Sequence, residues 1–307
     1  MGTFLFSTVL GVLLQGAGAA HESTTVRARA DSGDPQAALA LGRAYLSRLD
    51  SVRSAAAPDS AALRATLDSA DDALTRAAAL WGAPGTSPAG DSARVLRVEV
   101  WSARAARAWK RRGVTAGPEV WGPLPADLRL SPVLEELGEN LLRACPQAGV
   151  LVTSSGPDFV AAWYMRFARG LRPDLLVTSL RLWQEDAGYR ARAARDLGLG
   201  HETEPRHVLE AVARRRPVCA SMGLEAPPEH LGWRAWPLVW VAGPRLKATG
   251  VPARDFVFAA LELGIAGRDP WAEAALAVYN RAARSAPSLC PALAAFQVSG
   301  ETTRCRH

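Results

Sequence analysis

The sequence predicts an α/β protein: a small parallel sheet of about four strands set between N-terminal and C-terminal helical segments. Residues 149–183, GVLVTSSGPDFVAAWYMRFARGLRPDLLVTSLRLW, read as an apolar strand, a polar turn, an amphipathic helix, an Arg-Pro-Asp turn and a second strand. Short apolar runs follow at Pro217-Val218-Cys219-Ala220-Ser221 and Trp236-Pro237-Leu238-Val239-Trp240-Val241, with helical patterns between them. Strands alternating with helices build parallel sheets with right-handed crossovers, a Rossmann-like connectivity. On either side of this region the chain is Ala-rich, with apolar residues at helical spacing.

Residues 1–20, MGTFLFSTVLGVLLQGAGAA, are a short apolar run followed by small residues that fit a signal-peptidase site near Ala19 or Ala20. A cleaved signal peptide and a periplasmic or secreted mature chain are expected; an uncleaved anchor is the alternative. No later segment reaches the roughly 18 apolar residues of a spanning helix, so no transmembrane helix is expected in the mature chain.

Residues 21–116 form a helical domain. Asp34-Pro35 reads as an N-cap followed by proline at the first helical position, and a second helix runs from Pro58-Asp59-Ser60 toward Trp81. Gly82-Ala83-Pro84-Gly85 breaks that helix, and a third starts at Asp91-Ser92. Three helices with short connectors are distantly tetratricopeptide-like, although no 34-residue period repeats. Residues 117–130, rich in Pro and Gly, form a linker. Residues 131–250 form the α/β domain: a helix from Ser131-Pro132, the segment above, helices over 186–197 and 203–215, and the two later strands. Residues 251–307 return to helix, again tetratricopeptide-like, with Phe256, Phe258, Trp271 and Tyr279 in the core.

Apolar residues at 49% and charged residues at 21% describe a globular chain. The net charge of +6 is spread along it, apart from Lys110-Arg111-Arg112 and Arg214-Arg215-Arg216. Both clusters end helices, where cations complement the dipole, and no aromatic-interleaved basic motif accompanies them. No nucleic-acid partner is expected. Four cysteines suit an exported protein. A Cys290–Cys305 disulfide would staple the C-terminal tail, while Cys145 and Cys219 are buried neighbours whose bridging stays open.

The turn after the first strand is where an α/β protein places a ligand. Thr153, Ser154, Ser155 and Asp158 there, with Trp183 at the end of the second strand, are the candidate ligand-binding residues. Their other reading is a helix cap, with Ser155 or Asp158 ahead of the first turn. No G-x-G-x-x-G follows the strand and no G-x-x-x-x-G-K-[ST] exists, so neither a dinucleotide nor a nucleoside triphosphate is expected as cofactor. His201 and His207 are six apart with Pro205 between them, the wrong spacing for a zincin helix, and Thr203 reads as an N-cap instead. With no G-x-S-x-G elbow and no distinctive carboxylate pair, no catalytic residue and no metal ligand is assigned.

The βαβ segment resembles the soluble region of the bacterial multi-spanning membrane family related to protein O-mannosyltransferases. Trp163-Tyr164 and Gly170-Leu171-Arg172-Pro173-Asp174 match that family's aromatic pair and Gly-x-Arg-Pro-Asp turn. Arg216-Pro217-Val218 and Ala226-Pro227-Pro228-Glu229-His230-Leu231 resemble its later Arg-Pro-Val strand and Pro-Pro-Glu-x-Leu loop. Thr153 and Asp158 fall on the family's acidic turn, but Ser154, Ser155, Gly156 and Pro157 replace its other Asn and Asp positions. The membrane helices that carry the transferase chemistry are not in the matching region. The resemblance therefore implies a freestanding relative of an accessory domain. The expected function is an exported, non-catalytic binding or scaffold protein that docks on an envelope protein or membrane complex. The competing expectation is a glycan- or small-anion-binding protein using the turn after the first strand.

Overall fold

A computed structural model describes residues 26–27, 29–31, 33–53, 60–114, 117–199, 204–228, 231–244, 246 and 251–296. The expected signal peptide and Cys305 lie outside them. Two compact units result, Met1–Val100 and Trp101–His307.

In the first unit, helices α1 (Pro35–Arg53) and α2 (Ser60–Leu80) pack on each other. The Asp34 carboxylate accepts from the backbone N–H groups of Gln36 (2.9 Å) and Ala37 (3.1 Å), the N-cap read from the sequence. Gly42 allows the close approach, because a Cβ there would lie 2.6 Å from Leu74 Cγ. The third helix, α3 (Pro88–Arg112), begins in this unit and continues past Val100 into the second; it starts three residues earlier than expected, since Pro88 is well tolerated in a first helical turn. The preceding loop wraps around Asp91, which accepts from Gly85 N–H (3.1 Å) and pairs with Arg94 (3.0 Å). Both side chains are buried, and Arg94 also donates to the Ala78 and Gly82 carbonyls.

The second unit is mixed α/β. Helix α4 (Pro132–Ala144) leads into β1 (Val150–Thr153), α5 (Pro157–Phe167) and β2 (Leu176–Ser179). Then come α6 (Leu180–Glu185), α7 (Ala187–Asp196), α8 (Pro205–Ala213) and β3 (Val218–Ser221). The sheet ends with β4 (Arg234–Trp236) and β5 (Val239–Ala242), and helices α9 (Ala259–Gly267) and α10 (Ala272–Ser285) follow. Local chemistry starts two of the middle helices: Ser179 Oγ accepts from Leu182 N–H at α6, and Asp186 from Tyr189 N–H at α7. Helix α8 opens at Pro205 with Glu204 in the N-cap position; Thr203, the expected cap, lies outside the described residues.

The sheet has five strands, not four, in the order β2-β1-β3-β5-β4, and only part of it is parallel. Strand β1 pairs in parallel with β2 (Val150↔Leu176) and with β3 (Val150↔Val218). Strand β5 runs antiparallel to both β3 (Val218↔Ala242) and β4 (Trp236↔Val239). The run read as one strand, Trp236 to Val241, is thus a two-residue hairpin. Pro237 has no N–H to give to a ladder and its ring holds φ near −65°. Leu238 then takes φ 70°, completing the sign pattern of a type II turn. Leu238 is fully buried, so packing holds a bulky residue in a region glycine would occupy more easily.

Helix α4 is pressed against α5 at Gly138, where a Cβ would lie 2.6 Å from the Ala161 carbonyl carbon. Its polar residues hold the C-terminal helices. Glu136 accepts from Ala260 N–H (2.7 Å) and Leu261 N–H (3.0 Å), capping α9 from outside. Asn140 exchanges hydrogen bonds with the Val257 backbone and donates to the Tyr279 hydroxyl (3.0 Å). Burial pushes the Glu136 carboxyl up, while the two N–H donors pull the other way. No helix among the described residues is long and apolar enough to cross a membrane.

Candidate functional site

Strands β1 and β3 are neighbours, and the chain leaves β1 toward β2 on one side and β3 toward β4 and β5 on the other. Ligands of open α/β sheets bind at this point, in the crevice beyond the carboxyl ends of the strands. Here it lies between the turn after β1 and the turn after β3.

The chain's own groups fill it. Asp158, fully buried in the first turn of α5, accepts from the backbone N–H of Ser154 (2.9 Å) and from its hydroxyl. Ser154 Oγ in turn accepts from Gly156 N–H (2.9 Å), closing the turn on itself. Across the crevice stands Gly223. A Cβ there would meet both carboxylate oxygens of Asp158, at 3.0 Å from Oδ1 and closer to Oδ2. Gly223 N–H donates to Ser221 Oγ (3.0 Å), and Arg281 of α10 donates to the carbonyls of Met222, Gly223 and Leu224. A carboxylate from one turn, a glycine from the other and an arginine clamp stand against one another between β1 and β3.

The structure brings Thr153, Ser154 and Asp158 together and places Trp183 elsewhere. Thr153 is fully buried and donates to the Thr178 carbonyl across the β1–β2 pair (3.2 Å). Ser155 is exposed. Trp183 is buried, its indole N–H donating to the Pro205 carbonyl (3.2 Å) and its ring standing edge-on to Tyr189 at 6.3 Å. Sequence reasoning misses Gly223, Ser221 and Arg281. The only sequence signal for them is a Ser-Met-Gly run ending a strand.

The motifs behind the family resemblance have structural work to do. Arg172, at φ 47°, donates to the carbonyls of Leu142 (2.7 Å), Cys145 (3.0 Å) and Pro146 (3.2 Å), capping the end of α4. It also pairs with Asp174 (2.9 Å), whose other link is the Ala148 N–H (2.8 Å). The Arg172 guanidinium holds the Asp174 carboxyl down at about 2. Cys145 and Cys219 stand at bonding distance beside this network, Cα atoms 5.8 Å apart, tying the end of α4 to β3. Cys290 is not a free thiol, and its expected partner Cys305 lies outside the described residues.

Trp163 and Tyr164 are core. Trp163, Trp121, Trp109 and Phe167 form one cluster with ring centroids 5.1–5.8 Å apart. The Tyr164 hydroxyl donates to the Leu128 carbonyl (3.0 Å). No group of three or more His, Cys, Asp or Glu residues gathers as a metal site among the described residues. His207 is exposed on α8, and His201 lies outside the described residues.

No protein-family model matches the chain, and no curated protein or solved structure matches it either.

Proposed function

We propose that this protein is an exported, non-catalytic binding or scaffold protein of the cell envelope, docking on a partner protein or membrane complex. The observation that carries this reading is the contact of the buried Asp158 with Ser154 and Gly223 between β1 and β3. Asp158 spends its hydrogen bonds on Ser154 and lies against Gly223, so the position where an α/β enzyme presents its chemistry is occupied by the fold itself. The Cys145–Cys219 pair accords with an oxidising compartment, and the helical flanks, read as tetratricopeptide-like, would supply the docking surface. Kinship with the soluble region of the O-mannosyltransferase-like family belongs to the same proposal. It is supported by Arg172 and Asp174, which carry the shared turn and have a structural role that a freestanding domain would keep.

Affinity isolation of the tagged chain from envelope extracts, with mass spectrometry of retained proteins and glycans, tests this reading. A stoichiometric envelope protein is the expected result. Recovery of monomer alone would remove the scaffold idea, and a retained glycan lost on Ser155→Ala would favour the carbohydrate-binding alternative.

A further inference from the structure

The two basic runs, about a hundred residues apart in the sequence, meet at one end of the second unit. Helix α7 joins them. Arg192 of α7 donates to the Arg112 carbonyl at the end of α3 (3.1 Å), and Val114 N–H donates to Asp196 at the end of α7 (2.7 Å). Just beyond α7, the Gly198 carbonyl accepts from Arg215, which follows α8. The C-terminal ends of α3, α7 and α8 are thereby gathered together. Next to Arg214 and Arg215 is an open depression of about 420 Å³ lined by Leu199, His207, Glu210 and Ala211.

Helix capping accounts for only part of this charge. Arg192 and Arg215 satisfy carbonyls, and Lys110 pairs with Asp186 (3.1 Å). Arg111, Arg112, Arg195 and Arg214 are exposed, and their guanidinium groups have no partner among the described residues. Among the described residues Glu210 is the only carboxylate lining the depression, and Asp196 is already paired with Arg192 (3.1 Å). A cluster of exposed guanidinium groups, unpaired among the described residues, is a binding surface for anions. Guanidinium forks match phosphate oxygens two at a time. The exposed large apolar residues, Leu80, Val120, Leu171, Val257 and Leu263, are not among the residues of these three helix ends. Among the described residues these helix ends therefore carry no large exposed apolar side chain of the kind that centres a protein–protein interface.

We propose that this end of the protein binds the phosphate headgroups of an anionic phospholipid surface. The inference rests on the envelope reading above, and names a surface on which the protein would sit. The test is co-sedimentation of the full, oxidised chain with vesicles of phosphatidylglycerol and phosphatidylcholine, against vesicles of phosphatidylcholine alone. Binding is expected only to the anionic vesicles and is expected to weaken with salt. Each arginine near an anionic surface is worth about fivefold in partitioning, so Arg214→Gln with Arg215→Gln should lose about thirtyfold. Arg111→Gln with Arg195→Gln removes no hydrogen bond and should lose a similar factor. Arg254→Gln, 86% exposed outside the cluster, should lose nothing. Removing the opposing carboxylate by Glu210→Gln should strengthen binding a few fold.

Equal binding to both kinds of vesicle, or no loss in either double variant, would overturn the proposal. So would displacement by glycerol phosphate at matched ionic strength, which would indicate a site for soluble phosphate, or preferential binding to polyglutamate, which would indicate an acidic protein. A chain that isolates with an envelope partner yet ignores anionic vesicles would sink this inference and leave the scaffold reading standing. Vesicle binding without any protein partner would do the reverse.

Discussion

The two ends of strand β1 are closed in different ways. At its amino end, several interactions act together. Arg172 reaches three carbonyls, Asp174 pins Ala148, and Cys145 is tied to Cys219. At its carboxyl end one carboxylate, Asp158, lies between Ser154 and Gly223. The first arrangement is redundant and partly exposed, so the loss of one polar contact leaves the others in place. The second centres on one buried carboxylate in direct contact with Gly223, so a change in volume there meets close-packed neighbours. The carboxyl end of β1 is thus held by tight packing around Asp158, whereas the opposite end is held by a network.

The covalent tie is the largest single contribution at the amino end. It closes a loop across a sequence separation of 74 residues, for which chain-entropy reasoning gives about 4 kcal/mol. Replacing both Cys145 and Cys219 by Ala should lower the unfolding free energy by about that amount in urea titrations. Variant and wild type should then unfold alike in the presence of reductant. If the double variant costs under about 1 kcal/mol without reductant, the amino end owes its stability to the Arg172 network instead.

Gly223→Ala probes the carboxyl end and should cost about 3 kcal/mol, because the new methyl must displace Asp158 or the Ser221–Leu224 turn. The comparison predicts that Ala at Gly170, where a Cβ would meet nothing within 4 Å, costs less. Gly170 has φ 70°, so its cost is backbone strain alone, about 1 kcal/mol. Equal costs at the two glycines would mean that the crevice between β1 and β3 is looser than its geometry indicates.

Which parts of the fold and site are legible in the sequence follows from the range of the interactions. The strand–helix–strand of β1, α5 and β2 and the caps at Asp34 and Asp186 are local, and periodicity or a single polar residue signals them. The β4–β5 hairpin is hidden because Trp236 to Val241 is apolar throughout, and its one warning, Pro237, is outweighed by that run. The positive φ of Leu238 is imposed by burial and leaves no trace in the residue type. At the candidate site, Ser154 and Asp158 are visible as a polar turn. Their partner Gly223 is not, since 65 residues separate it from Asp158 and a glycine's contacts depend on what folds against it. The meeting of the two basic runs is of the same kind: each is explained locally as a helix end, and only α7 brings them together.

The smallest expected effect concerns pH, and it separates the two ends of β1 by a different measurement. Asp174 has its carboxyl lowered from 3.8 to about 2, with the Arg172 hydrogen bond as the leading cause and the Ala148 N–H adding to it. A carboxyl held below its unfolded value adds stability that is fully present above the unfolded pKa and is lost as pH falls through the folded one. The side chain is 34% exposed, so solvent screening leaves a contribution on the order of 1 kcal/mol. Asp174→Asn should therefore be less stable than wild type by about 1 kcal/mol near pH 6, and the gap should close as the pH falls from about 4 toward 2. The Asn variant keeps an acceptor for Ala148 N–H but has no charge for Arg172, so the gap reports the ion pair rather than the turn. Urea midpoints of both proteins across that range supply the measurement. A gap that persists unchanged toward pH 2 would show that the shape of the turn, not the charge of Asp174, holds the amino end of β1.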